Sequence, residues 1–175
     1  MGWIKGLVPL MAAALVSGCV VVPARSISVP PVARGDVSRV QIGPARADAA
    51  ETRALSYINS QRKAAGLRPV RSNPRLQAAA ESHSRWMARN ATMSHRGAGG
   101  TDMLGRMRAA GYRACGANEN VAYGQRTAER VVRGWISSPG HRRNILARGM
   151  QHGAVAAVRD GRGTIWWTMV MGDRC

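Results

Sequence analysis

Ser137-Ser138-Pro139-Gly140-His141-Arg142-Arg143-Asn144-Ile145-Leu146 reads as the junction between two helices. Pro139 suits the first position of a short second helix, where no backbone donor is needed. Gly140 leaves room beside it, so His141 faces outward from the first turn. Upstream, Thr127 to Ser138 forms one amphipathic helix. Thr127 is its N-cap candidate, and Val131, Val132, Trp135 and Ile136 make up its apolar face. That helix brings the run Gly116-Ala117-Asn118-Glu119-Asn120-Val121-Ala122 to the same end of the domain as His141. A carboxylate converging with an imidazole is a candidate acid/base pair or half of a metal site.

Downstream, Ala154 to Arg159 and Thr164 to Met171 are strand-like and flank the turn sequence Asp160-Gly161-Arg162-Gly163. The second strand carries Ile165, Trp166, Trp167, Met169 and Val170, apolar on both faces, as a central strand covered by helices on two sides requires. Towards the N-terminus, Asp48 caps an expected helix to about Ala65, with Leu55 and Ile58 inward and Gly66 as its stop. Asn73-Pro74 starts a second helix, on which Leu76, Ala80, His83 and Met87 share one face. His83 therefore reads as a hydrogen-bonded core histidine. His95 falls in a loop before the Gly-rich turn Arg96 to Gly100, where a functional role fits better. Thr101 is expected to cap a third helix to about Ala110, with Leu104 and Met107 inward, and Cys115 to open a loop carrying Glu119. Helices around a small sheet give an α/β (α+β) sandwich, with no internal repeat.

The first residues are a targeting segment. Met1 to Gly18 holds one positive charge, Lys5, and an apolar run from Gly6 to Val16 that is too short for an ordinary membrane span. Leu15-Val16-Ser17-Gly18-Cys19 resembles a bacterial lipobox, with Val16 where leucine is more usual. This resemblance implies a signal peptide over 1–18 and acylation (palmitate) of Cys19. A plain secretory signal cleaved nearby is the alternative. Residues 19–47 read as the lipidated cysteine and a tether interrupted by Pro23, Pro30, Pro31 and Pro44. Fully extended, that tether reaches roughly 80–90 Å. The compact domain then covers 48–175.

The 175 residues carry 26 Lys+Arg against 9 Asp+Glu, a net charge of +17, and only Lys5 and Lys63 are lysines. Such an excess attracts anionic surfaces such as phospholipid headgroups or lipopolysaccharide, or is simply a solvated basic surface. No basic run is interleaved with aromatics, and a targeting signal argues against a nucleic-acid partner. With Cys19 set aside, Cys115 and Cys175 are expected to pair in an oxidising periplasm. The bridge would close a loop of about sixty residues, for which chain entropy gives roughly 4 kcal/mol. There is no Gly-x-Ser-x-Gly elbow, His-Glu-x-x-His, phosphate-binding Gly loop or Cys-x-x-Cys, so serine hydrolase, nucleotide and redox chemistries are unsupported.

Taken in order, Asn59-x-x-Arg62, Arg89-Asn90-Ala91-Thr92-Met93-Ser94-His95, Asn118-Glu119-Asn120-Val121-Ala122 and Trp135 to Leu146, followed by a Trp-rich strand, closely resemble the bacterial branch of the CAP superfamily. These are the cysteine-rich secretory, antigen 5 and pathogenesis-related proteins, or SCP domain. The resemblance covers about Asp48 to Cys175 and implies an α-β-α sandwich with a cleft lined by two His and two Glu. His95, Glu119 and His141 match three of the four. The second Glu would fall at Ser138, and Asn118 stands where the family often has Gly. The family also implies a divalent metal such as zinc on the paired imidazoles, here His95 and His141, although no cofactor is required. The leading expectation is an envelope lipoprotein of the outer membrane, facing the periplasm, whose His/Glu cleft and basic surface bind a lipid, glycan or protein. A hydrolase using Glu119 as general base, with His95 and His141 holding a metal or polarising the substrate, is the second. A purely structural envelope protein is the third.

Overall fold

A computed structural model describes residues 44–175 of the chain. The expected signal segment, Cys19 and most of the tether lie outside these residues. Helix α1 spans Pro44–Ala64 and so begins four residues before the expected cap, Asp48, which lies inside it. There follow β1 (Arg71–Ser72), α2 (Pro74–Asn90), a 3₁₀ turn (Ala98–Gly100), α3 (Met103–Ala109), β2 (Ala114–Tyr123), α4 (Ala128–Ser137), α5 (Pro139–Ile145), β3 (His152–Arg159) and β4 (Ile165–Arg174).

The helix starts are set locally. The Asn73 side chain accepts from the Arg75 and Leu76 amides ahead of Pro74, and that of Thr127 accepts from the Arg130 amide. At α3 the cap is Asp102, one residue past the expected Thr101, and its side chain accepts from the Gly105 amide at 2.7 Å. Thr101 instead turns its hydroxyl back to the Ala98 carbonyl at 2.9 Å, closing the 3₁₀ turn. Met107 is buried as expected and Arg106 is buried beside it, while the other expected inward residue, Leu104, is 38% exposed.

The strands form one sheet in the order β1-β3-β4-β2. β4 pairs antiparallel with β3 through the Asp160 turn and antiparallel with β2, while β1 runs parallel to β3. Central β4 is buried from Ile165 to Gly172. Its alternation splits the core in two. Trp167, Met169 and Met171 pack with Ala54 and Ile58 of α1, Val131, Val132 and Trp135 of α4, and Ile145 of α5. On the other face, Val170, Ala154 and Ala156 meet Leu76, Ala79 and Ala80 of α2 and Met107 of α3. The molecule is therefore an α-β-α sandwich.

β2 and β1 are the strands that the sequence hides. Gly116-Ala117-Asn118 has low strand propensity and reads as loop, but pairing along β4, with Glu119 opposite Val170, overrides it. Cys115 and Cys175 form the expected disulfide, with Cα atoms 5.0 Å apart, which fastens the start of β2 to the end of the chain.

Candidate functional site

Strand alternation puts Glu119 on the α2/α3 face of β2 and Asn120 on the α5 face. Glu119 is buried, and both its oxygens are taken. Arg106 Nη2 of α3 donates to Oε2 at 2.6 Å, and His95 Nδ1 donates to Oε1 at 2.8 Å. The Arg106 side chain is 7% exposed and that of Glu119 3%, so the pair sits away from water. Arg106 also donates from Nη1 to the carbonyls of Thr101 at 2.8 Å and His95 at 3.2 Å. One guanidinium thus clasps the loop that carries His95 and the carboxylate that His95 binds.

The His95 side chain is 61% exposed. Its hydrogen bond to Glu119 and the charge there raise its pKa above the usual histidine value, against burial and the Arg106 charge. With Nδ1 committed to Glu119, Nε2 is the free nitrogen. His83 on α2 is fully buried, as the periodicity of that helix predicts, and its Nε2 lies 2.7 Å from the Ser94 carbonyl oxygen and 4.0 Å from Glu119 Oε1. Burial holds its pKa down, more strongly than the nearby Glu119 charge raises it. His83 is therefore a neutral donor.

The conspicuous sequence motif supplies the opposite side of β2. Pro139 opens α5, and Ser138 is at once the C-cap of α4 and the N-cap of α5, without a side-chain capping bond. Asn144 Nδ2 donates to the Glu119 carbonyl at 3.0 Å and to Asn120 Oδ1 at 2.8 Å, while Asn120 Nδ2 donates to the His141 carbonyl at 3.0 Å. These bonds tie α5 to β2. His141 is half-buried, and its pKa is lowered by burial and then by the charge on His95. Farther back, Arg62 of α1 is buried and donates to the carbonyls of Ile145, Ala147 and Arg68 at 2.7, 2.9 and 3.0 Å. It stabilises the negative end of α5. Asn59 makes a two-way clip to the backbone of Val70.

His95, Arg96, Asp102, Met103, Ala117, Asn118 and Glu119 line a cleft of about 360 Å³. Its wall brings together His95 and Glu119, two of the three expected cleft residues, while the third, His141, is not part of that wall. Arg106 and the His83–Ser94 contact are the parts the sequence reading missed. Arg106 stands next to Met107, the residue expected inward, but no sequence pattern marks it as the partner of Glu119.

Among the described residues, no group of three or more His, Cys, Asp or Glu side chains could hold a metal ion. Glu119 and His95 Nδ1 already serve each other, which leaves two imidazoles to offer, short of the three protein ligands of a catalytic zinc centre. The donor set does not fit a resident metal centre.

An α-β-α domain with an imidazole–carboxylate cleft at an edge strand defines the class of protein. The sequence profile of the cysteine-rich secretory protein (CAP) family matches residues 55–171, and the chain belongs to that family. The uncharacterized protein YkwD of Bacillus subtilis (strain 168) is 31% identical over 129 residues, covering 74% of this chain and 49% of its own length. The chain thus spans about half the length of that curated relative. Among solved structures, an outer surface protein of Borrelia burgdorferi superposes with a TM-score of 0.66 at 20% identity, over 71% of this chain and 92% of its own. An extracellular protein containing a SCP domain from Bacillus anthracis str. Ames gives 0.68 at 19% identity, over 77% and 45%.

Proposed function

We propose that the chain is a lipid-anchored envelope protein whose CAP domain, beginning near Asp48, binds an anionic or hydrogen-bonding group of an envelope component in the His95–Glu119 cleft. The observation that carries this reading is the double commitment of Glu119 to Arg106 and His95. A carboxylate so held orients a neighbour and has no free oxygen to take a proton from substrate. The Arg96 guanidinium and His95 Nε2 line the same cleft, so an anionic or hydrogen-bonding group finds a charged donor in Arg96 and a second polar partner in Nε2. Outer-surface and extracellular proteins among the structural neighbours support an envelope or secreted location. Cys19 would supply the anchor, and Val20 after it favours the outer membrane.

The purified protein should bind lipopolysaccharide, anionic phospholipid vesicles or soluble peptidoglycan fragments saturably in calorimetry, and His95→Ala should weaken whichever it binds. Equal binding by His95→Ala and wild type would overturn the cleft assignment. Cys19→Ser should leave the membrane fraction, and its retention there with unchanged processing would overturn the anchor.

One observation favours hydrolysis as the second reading. Glu119 fixes the Nδ1–H form of His95, so the base would be His95 Nε2, not Glu119 as the sequence suggested. Turnover of peptide or ester substrates by wild type, lost in His95→Ala, would select this reading.

A further inference from the structure

We propose that His83 is a positioning residue for the cleft, holding the Ser94 carbonyl so that the His95 ring stays set against Glu119. This rests on the reading of His95 as the working side chain of the cleft.

The helical face of α2 needs only apolar bulk at this position, between Leu76 and Ala80 on one side and Met87 on the other. An imidazole there carries a cost that leucine would not. A carbonyl can only accept, so the proton of His83 sits on Nε2, and Nδ1 is left as a fully buried acceptor with no partner. An orphaned buried acceptor is costly, because it gives up its bond to water and gains none in return. What that residue gives in exchange is the 2.7 Å bond to Ser94, the residue that precedes His95.

The surroundings restrain both ends of this bond. The Trp86 ring lies parallel to His83, with centroids 5.9 Å apart and planes 6° from each other. The loop is folded tightly over the imidazole. A Cβ on Gly97 would stand 3.3 Å from His83 Nδ1, 3.2 Å from Arg106 Nη1 and 3.1 Å from Thr101 Oγ1. Two consecutive carbonyls are therefore gripped from the protein interior, Ser94 by His83 and His95 by Arg106. With its ring bonded to Glu119, His95 is fixed at three points. Such fixing is needed because a side chain 61% exposed is not held by packing. Direct service to Glu119 is not the role, since 4.0 Å is too long for a hydrogen bond.

Three substitutions separate the donor from the bulk. His83→Gln places an amide N–H where Nε2 stands, His83→Asn is too short to reach Ser94, and His83→Leu keeps volume without a donor. Histidine ¹⁵N NMR on the ligand-free protein at neutral pH reads the ring of His95 itself. Failure here is therefore distinct from failure of the binding reading, which calorimetry tests. Wild type and His83→Gln should show His95 in the Nδ1–H form with its bonded proton visible. His83→Asn and His83→Leu should lose that proton signal and show exchange between tautomers while keeping a folded amide spectrum. A folded His83→Leu with an unchanged His95 signature would overturn the proposal. Should His83→Leu not fold, equal His95 signatures in His83→Asn and His83→Gln would overturn it as well.

Discussion

Replacing Arg106 by Met should be among the most damaging single changes in the domain. The guanidinium makes a 2.6 Å ion pair with Glu119 and donates to two carbonyls, with both side chains less than a tenth exposed. Breaking a buried pair by removing one partner costs about 3–5 kcal/mol, because the remaining charge is left in a poor solvent. Here His95 still bonds Glu119 and offsets part of that charge, so about 3 kcal/mol is the better expectation. In a domain of this size, that lowers Tm by roughly 10 °C. Urea unfolding of wild type, Arg106→Met, Glu119→Gln and the double variant, with the disulfide intact, closes a double-mutant cycle. The double variant removes both charges, so it should cost less than the sum of the singles by about 2 kcal/mol. Single effects that add to within about 0.5 kcal/mol, or an Arg106→Met cost below about 1 kcal/mol, would refute the account of the pair. Arg106 also lowers the pKa of His95, so the His95 titration should move upward in Arg106→Met.

Removing the disulfide with Cys115→Ser/Cys175→Ser releases a loop of sequence separation 60 and should lower unfolding stability by roughly 4 kcal/mol, measured in urea against the oxidised wild type. Gly172→Ala would put a Cβ 2.7 Å from Tyr112 Cε1 and 3.1 Å from Met107 Cε, both core residues. Overpacking of this kind should cost about 1–3 kcal/mol in the same assay, and a neutral result would show that Tyr112 can shift. His83, His141 and His152 all have pKa values lowered from 6.5, chiefly by burial, so the unfolded chain binds more protons and stability should fall as pH drops below about 6.5. His95, with its pKa raised, has the opposite sign: its contribution is full below 6.5 and fades as pH rises through its folded value. Of these four, His83 alone is fully buried, so protonating it in the folded protein is the step most strongly opposed. Urea midpoints should therefore be lower at about pH 5 than at about pH 7.5, and His83→Gln should flatten the difference.

Elements specified by neighbouring residues were legible. Asn73-Pro74 and Thr127 each carry their own cap, and the two-faced apolar run of β4 announces a central strand before any partner is known. Elements specified by distant pairing were not. β2 looks like a loop because Gly116 to Asn118 has no intrinsic preference for extension, and only β4 supplies it. β1 is two residues long, too short for any periodicity. On α3, Met107 is inward as its apolar character suggests, but Arg106 takes the buried place beside it and Leu104 is left partly exposed, because the inward group there answers a carboxylate and two carbonyls rather than the apolar core.

The site was only half legible, for a related physical reason. His95, Glu119 and His141 stand out because imidazoles and a lone acid are rare in an arginine-rich chain. The residues that hold them in place act largely on backbone. Arg62 binds the carbonyls of Ile145 and Ala147, Asn144 that of Glu119, Asn120 that of His141, and His83 that of Ser94. Every residue has a carbonyl, so such a donor has no complementary side chain in the sequence to betray it. Arg106 is harder still, because it spends Nη1 on two carbonyls and Nη2 on the acid, and nothing distinguishes it in sequence from the solvated arginines around it. The same fact explains how so basic a chain can bury arginines. Carbonyls oriented by helix ends and tight turns accept from the guanidinium at no further charge cost, leaving Glu119 as the one carboxylate that Arg106 must neutralise.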